Sequence, residues 1–344
     1  VSTFNLSYGL GQLPAGWLAD RLGPRILVTI GICGVAVAGV LVGLSQTYLM
    51  LLVLMVLMGV LGGGYHPASA PLVSASVEPK RRGRALGLHI VGGSASFFLA
   101  PLIAAAIAAA WGWRSSFIGL AIPTAVFGIV LYVLMKRRTF GGISVPEEIS
   151  VTEEVPSSKE RWKHLVVFMI LTMVTEAIAF SVIAFIPLYM VDNFGVSEGT
   201  GAAFLSIVYS AGLWASPLGG YLSDHWGRVK VVLLVCFITG PAIYLLTLAS
   251  YGVSIGAVLL LFGAVMYVRM PVSEAYIVGQ TPEHRRSTVL GIYYFASMEA
   301  GGLLAPVLGY FIDQYGLKAN FTVVGIAIFA VTLVCSVFLR GSRS

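Results

Sequence analysis

Hydrophobic positions in this chain fall into unbroken blocks of about twenty residues or more, separated by short polar stretches. A sliding window of about nineteen residues places spans near 1–18, 26–44, 49–76, 86–110, 115–135, 164–190, 200–222, 229–249, 253–279, 287–311 and 318–339. The pattern predicts eleven helices of membrane-crossing length. Barrel strands would instead alternate over about ten residues each. One long polar interruption, 136–163, opens with Lys136, Arg137 and Arg138 and closes with Arg161 and Lys163, with Pro, Ser, Gly and Glu between. It reads as an interdomain linker. The predicted organisation is a helix bundle over 1–135, a linker over 136–163 and a second, six-helix bundle over 164–344.

Composition sharpens this into a fold class. Apolar residues make up 58% of the chain and charged residues 10%, against roughly a quarter charged in a soluble domain. Such a chain cannot cover its surface with polar groups, so its exterior must face the lipid bilayer, as an all-α polytopic membrane protein does. The net charge of +6 is explained by where the charges lie. Eighteen of the 21 Lys and Arg fall in the loops after the first and third spans, in the linker, in the corresponding second-half loops and after the last span. The opposite loops hold only Arg114 and Lys318, and Arg269 lies inside a span. By the positive-inside rule the basic side is cytoplasmic and carries the C-terminus, in a bacterial or archaeal plasma membrane. No nucleic-acid partner is needed. Cys33, Cys236 and Cys335 lie in apolar runs and read as buried hydrophobes. GVLGGGYH lacks the Lys and Ser/Thr of a phosphate loop, and no HExxH or catalytic triad appears. The expectation is no enzyme, no cofactor and no metal site.

The halves repeat at an offset of 204 residues. Gly16, Leu18, Asp20 and Gly23 fall on Gly220, Leu222, Asp224 and Gly227. Pro67 falls on Pro271, Arg81-Arg82 on Arg285-Arg286, Leu86-Gly87 on Leu290-Gly291, and Gly112 and Phe117 on Gly316 and Phe321. Matched loops lie on the same side of the membrane, so the repeat is parallel. The pattern G-x-L-x-D-x-x-G, in a short cytoplasmic loop and repeated in the second half, resembles the signature loop of the major facilitator superfamily. More loosely, YHPASAPLVS with the basic loop and LGLHIVGGSASFFLAPL after it is similar to the fosmidomycin-resistance-type branch. The resemblance implies two six-helix halves, of which five and six are seen here, so the first helix of the plan is expected to be missing.

The resemblance also implies that the signature loops gate. Asp20 would accept from neighbouring N–H groups or pair with an Arg, with Gly16 and Gly23 allowing close approach and a tight turn and Arg21 and Arg25 supplying cations. Asp224 with Gly220, Gly227 and Arg228 forms the second copy, where His225 replaces Arg21 and a weaker latch is expected. The plain alternative is a basic inside loop that only sets topology.

Charges inside spans cost a few kcal/mol or more unless paired or hydrated. Glu176 and Glu299 lie about twelve residues, about 18 Å of helical rise, from the inner ends of their spans, and Arg269 lies at nearly matching depth. A Glu176–Arg269 pair is the leading candidate for proton coupling, because a desolvated carboxylate beside a guanidinium can be loaded and unloaded as the cavity hydrates. The alternative is a static pair that fixes helix register. Glu299 is a second coupling candidate or a locally satisfied packing residue. His66, beside Pro67, faces either the cavity or a helix interface. Tyr65 aligns with Arg269 and would line the same wall, and Glu274 would guard the cytoplasmic mouth. His89 reads as structural. The resulting expectation is a monomeric secondary transporter, exporting small organic molecules in exchange for protons. A symporter taking up an organic anion on Arg269 is the alternative within transport. Outside transport, a membrane sensor or scaffold, or an inactive remnant, remains open. Drug antiporters of the superfamily often carry a glycine-proline pattern in the fifth helix, and GLHIVGGSASFFLAP departs from it.

Overall fold

The computed structural model describes residues 2–140 and 159–340, which are helical without a strand. In chain order the helices are α1 (Ser2–Leu22), α2 (Pro24–Gly43), α3 (Tyr48–Gly62), α4 (Tyr65–Ala75), α5 (Arg82–Trp111), α6 (Trp113–Phe140), α7 (Lys159–Phe194), α8 (Glu198–Ala203), α9 (Leu205–Ser210), α10 (Gly212–Trp226), α11 (Arg228–Leu248), α12 (Val253–Gln280) and α13 (Arg286–Leu339). The middle of the 136–163 linker lies outside the described residues. Its flanks are not loop, because α6 continues through the basic run to Phe140 and α7 already begins at Lys159.

Nine helical segments among the described residues are long and apolar enough to cross a membrane. One of them, Glu283–Leu339, contains two predicted spans, which part at Gly316. The 1–18 span is helical, within α1, but α1 is not one of the nine: Thr3, Asn5, Ser7 and Gln12 dilute its apolar character. The 49–76 span is broken into α3 and α4 by two residues, Gly63 and Gly64. Pro67 has no N–H to offer the carbonyl of Gly63 four residues back, so the break falls where a helical hydrogen bond is missing.

Backbone conformation preserves the duplication. Gly23, between α1 and α2, has φ 93° and ψ 140°, and Gly227, between α10 and α11, has φ 93° and ψ 139°. Gly112 and Gly316 form a second matched pair, with φ 82° and 79°. Only glycine enters this region freely, which explains why these four glycines share one register.

By Cα proximity the chain forms two compact units. Unit 1 comprises 1–78, 99–156 and 281–295, and unit 2 comprises 79–98, 157–280 and 296–344. The start of α5 and the start of α13 thus each belong with the unit opposite to their half of the sequence. In unit 1, α1 packs on α3 and α2 on α6. Glycine carries the α1–α3 approach, since a Cβ on Gly59 would lie 2.6 Å from the Phe4 carbonyl oxygen and one on Gly11 3.1 Å from that of Val60. In unit 2, α12 lies against α7, α9, α10 and α11, around a core that includes Ile186, Met190, Ile243, Leu259, Phe262 and Ile328. Many outward positions, among them Val126, Ile129, Leu303 and Ile326, are large, apolar and exposed, as a lipid-facing surface requires. Replacing Gly23 by Ala keeps this packing but forces a side chain into positive φ. We expect a loss of about 1–3 kcal/mol, seen as a lower apparent melting temperature in detergent, with Gly227→Ala matching it.

Candidate functional site

Each unit holds one copy of the duplicated loop, and in each the aspartate caps a helix that follows it neither directly nor nearby in sequence. In unit 1, Asp20 at the end of α1 accepts from the backbone N–H of Ser287 at 2.9 Å and of Thr288 at 2.8 Å, and from the Thr288 hydroxyl at 2.6 Å. Ser287 and Thr288 lie in the first turn of α13, where N–H groups have no intrahelical acceptor and the helix dipole attracts negative charge. Gly16, one turn back on α1, sits directly against the Ser287 carbonyl, leaving no room for a Cβ. In unit 2, Asp224 accepts from the N–H of Gly83 at 3.0 Å and of Arg84 at 2.9 Å, in the first turn of α5, while Gly220 abuts the Gly83 carbonyl. Residues 83 and 84 are 204 positions before 287 and 288. The offset therefore relates donors as well as acceptors. These donors were not singled out in the sequence, because backbone amides have no residue signature; applying the offset to the basic loops would have found them.

Arg228 is electrostatically coupled to Asp224, whereas Arg21 turns to an aromatic. Arg21 lies over the Trp17 ring, 3.9 Å from its centroid, and its counterpart His225 lies against Tyr221, the counterpart of Trp17, at 4.1 Å. Helical i,i+4 spacing brings each of these side chains to its own aromatic, while Asp20 accepts from amides and a hydroxyl. Arg25 accepts from the Thr29 hydroxyl through its carbonyl, and Arg228 donates to the carbonyl of Pro79 at 3.0 Å. The two latches differ through Thr288, whose hydroxyl adds a third bond where the second copy has Arg84.

Glu176 and Arg269 meet inside unit 2. Arg269 of α12 is 1% exposed and Glu176 of α7 is 5% exposed. The guanidinium donates through Nη2 to the Glu176 carboxylate and through Nη1 to the Thr172 carbonyl at 3.1 Å. Thr172 and Glu176 are one turn apart, so a single guanidinium spans one face of α7. The Thr175 hydroxyl reaches Cys236 of α11 at 3.8 Å, and the Ser273 hydroxyl donates to the Arg269 carbonyl at 2.9 Å. The pair is thus packed among α7, α11 and α12. Glu274, expected at a mouth, is itself buried. Glu299 on α13 is half-buried, and among the described residues it makes no hydrogen bond or ion pair. His89 is half-buried.

His66 stands in unit 1 among three tyrosines. Ring centroids lie 5.5 Å away for Tyr65, 6.2 Å for Tyr8 and 5.3 Å for Tyr294. Tyr8 and Tyr294 were not predicted as site residues, since they arrive from helices far apart in sequence with no spacing to announce them.

The family model described as Major Facilitator Superfamily matches residues 1–306 and 168–344. Among curated relatives, the multidrug resistance protein MdtG of Proteus mirabilis is 29% identical over 316 residues, covering 89% of this chain and 76% of its own length. MdtG of Enterobacter lignolyticus is 24% identical, covering 94% and 78%. Among solved structures, the transporter FucP in the outward conformation superposes with a TM-score of 0.78 at 16% identity, over 100% of this chain and 89% of that one. The human organic anion transporter MFSD10 also gives 0.78 at 16%, over 98% and 82%.

Two outcomes follow from this geometry. Arg269→Met alone strands a buried carboxylate and should cost about 3–5 kcal/mol, whereas the double change Arg269→Met with Glu176→Leu should recover most of it, as read from apparent melting temperatures. Asp20→Ala should lower that temperature more than Asp224→Ala, because it forfeits a hydroxyl bond worth about 1.5–3 kcal/mol in addition to two capped amides. Equal losses would deny Thr288 its part.

Proposed function

We propose that this chain, which belongs to the Major Facilitator Superfamily and is an integral membrane transporter, exports small organic compounds in exchange for protons by alternating access. The observation that carries the exchange is the Glu176–Arg269 pair, an ion pair sealed inside an apolar bundle. Protonating Glu176 would remove the countercharge of a buried guanidinium, so the proton on this carboxylate and the packing of α7 against α12 are linked. Glu299 and His66 are further proton-carrying groups in this reading, Tyr65 and Glu274 further cavity groups. The names of the multidrug resistance relatives support export of varied organic molecules. The narrower fosmidomycin-resistance-type placement rests on YHPASAPLVS and the segment after it alone, and the substrate class proposed here follows the multidrug relatives. Uptake of an organic anion on Arg269 is disfavoured, since both its terminal nitrogens are already engaged by Glu176 and Thr172.

In this proposal the protein acts as a monomer in a bacterial plasma membrane, its basic loops and C-terminus on the cytoplasmic side. The two Asp-capped helix starts are the gates, holding the basic side closed. Proteoliposomes with an imposed pH gradient test the coupling, with ethidium as the transported probe. Ethidium should move toward the proton-rich side, and Glu176→Gln should reduce that movement by about tenfold or more. Undiminished proton-driven movement in Glu176→Gln would remove the coupling role, and movement of ethidium together with protons would make the protein a symporter.

A further inference from the structure

Two apolar stripes of unit 2 end in cations. On α7 the exposed positions Lys159, Lys163, Val166 and Ile170 follow one another at steps of three and four residues, so they share one helix face. On α13 the exposed positions Leu333, Val334 and Val337 lead by the same steps to Arg340, one residue past the helix end. The stripes meet where the Lys163 Nζ stands over the Phe338 ring, 5.5 Å from its centroid. Arg161, between the two lysines in sequence, points elsewhere and donates to the Gly279 carbonyl at 2.9 Å.

That placement leaves the Lys163 charge without a counter-ion. Glu160 lies three residues before it, at the spacing of a helical ion pair, yet among the described residues no ion pair joins the two. The Phe338 ring attracts the ammonium through its electron-rich face but carries no charge, and an ammonium has three N–H groups to donate. Lys159 and Arg340 likewise make no ion pair among the described residues. Beyond the cations both stripes offer hydrocarbon alone, which in a bilayer is covered by acyl chains while long basic side chains rise to the headgroups. The 204-residue offset supplies a contrast within the chain. Phe338 and Arg340 fall on Leu134 and Lys136 at the end of α6, an exposed cation beside an apolar stripe with no ring at the matching position.

We propose that this face of α7 and α13 binds an anionic phospholipid, its phosphate held by Lys163 and Arg340 and its acyl chains laid along Val166 and Ile170 and along Val334 and Val337. Phe338 is a positioning residue, turning the ammonium away from Glu160 and toward the groove between the stripes. Each Lys or Arg beside an anionic headgroup raises lipid affinity about fivefold, and Lys159 adds to the same field. A zwitterionic lipid sets its own ammonium against these cations and gains less. A free phosphate would gain the charge contacts and leave both apolar stripes uncovered. The site takes a lipid and not the transported molecule, so it stands or falls independently of the exchange reading.

Titration of the full chain in detergent with phosphatidylglycerol or with phosphatidylcholine, the retained lipid being read by native mass spectrometry, tests it. Phosphatidylglycerol should be retained about tenfold or more in preference to phosphatidylcholine, and added salt should shrink that preference. Lys163→Gln and Arg340→Gln should each weaken retention about fivefold, and Lys163→Arg should preserve it. Phe338→Leu, which keeps the apolar surface and removes the ring, should weaken it about threefold. Lys136→Gln removes an equally exposed cation from the matching position and should leave retention unchanged. Arg340, past the last helical residue, keeps the test valid should Lys163→Gln fail to fold. Equal retention of the two lipids, equal weakening by Lys163→Gln and Lys136→Gln, or displacement of the lipid by glycerol phosphate would overturn the proposal.

Discussion

Hydrocarbon offers no hydrogen bonds, so every polar group that this chain carries into the bilayer must find its partner within the protein. That constraint selects helices for the spans, and it then acts on whatever helices leave over: the first-turn amides, the carbonyls freed by proline and the few charged side chains. Several of these remainders have a visible answer. Asp20 and Asp224 take the amides of α13 and α5. The chain breaks into α3 and α4 beside the carbonyl that Pro67 leaves without a donor. Arg269 has a carboxylate and a carbonyl on one face of α7. The features that distinguish this bundle from a bare stack of apolar helices are the places where the constraint is met unusually.

Those places differ in what they can do. A carboxylate over a helix start is held by fixed dipoles and gives way when the helix moves, which suits a gate. An ion pair in the packed interior cannot relax gradually, because losing either charge exposes the other to an apolar medium, which suits a switch with two settings. The His66 imidazole stands apart from both, partly exposed among the rings of Tyr8, Tyr65 and Tyr294.

The sequence announced charge better than it announced geometry. Matching depths in two spans were enough to pair Glu176 with Arg269, because an intramembrane charge has few alternatives. The glycine and aspartate of each latch were legible through the repeat. The ring beside Arg21, that of Trp17 one turn back on the same helix, was not foreseen. Ser287, Thr288, Gly83 and Arg84 were invisible because they act through backbone amides. Tyr8 and Tyr294 were invisible because tertiary folding alone brings them beside His66. Helix ends were legible where glycine adopts positive φ, and not at Phe140, where helix continues through a run of charges.

The two aspartate contacts are reciprocal. Asp20 belongs to the first half of the sequence and caps a helix of the second; Asp224 belongs to the second and caps a helix of the first. Residue i of one half meets residue j of the other, and j meets i, which is the contact rule of an isologous two-fold interface. Each half of the sequence thus carries an aspartate and a helix start whose partners lie in the other half, so neither half could make either contact by itself.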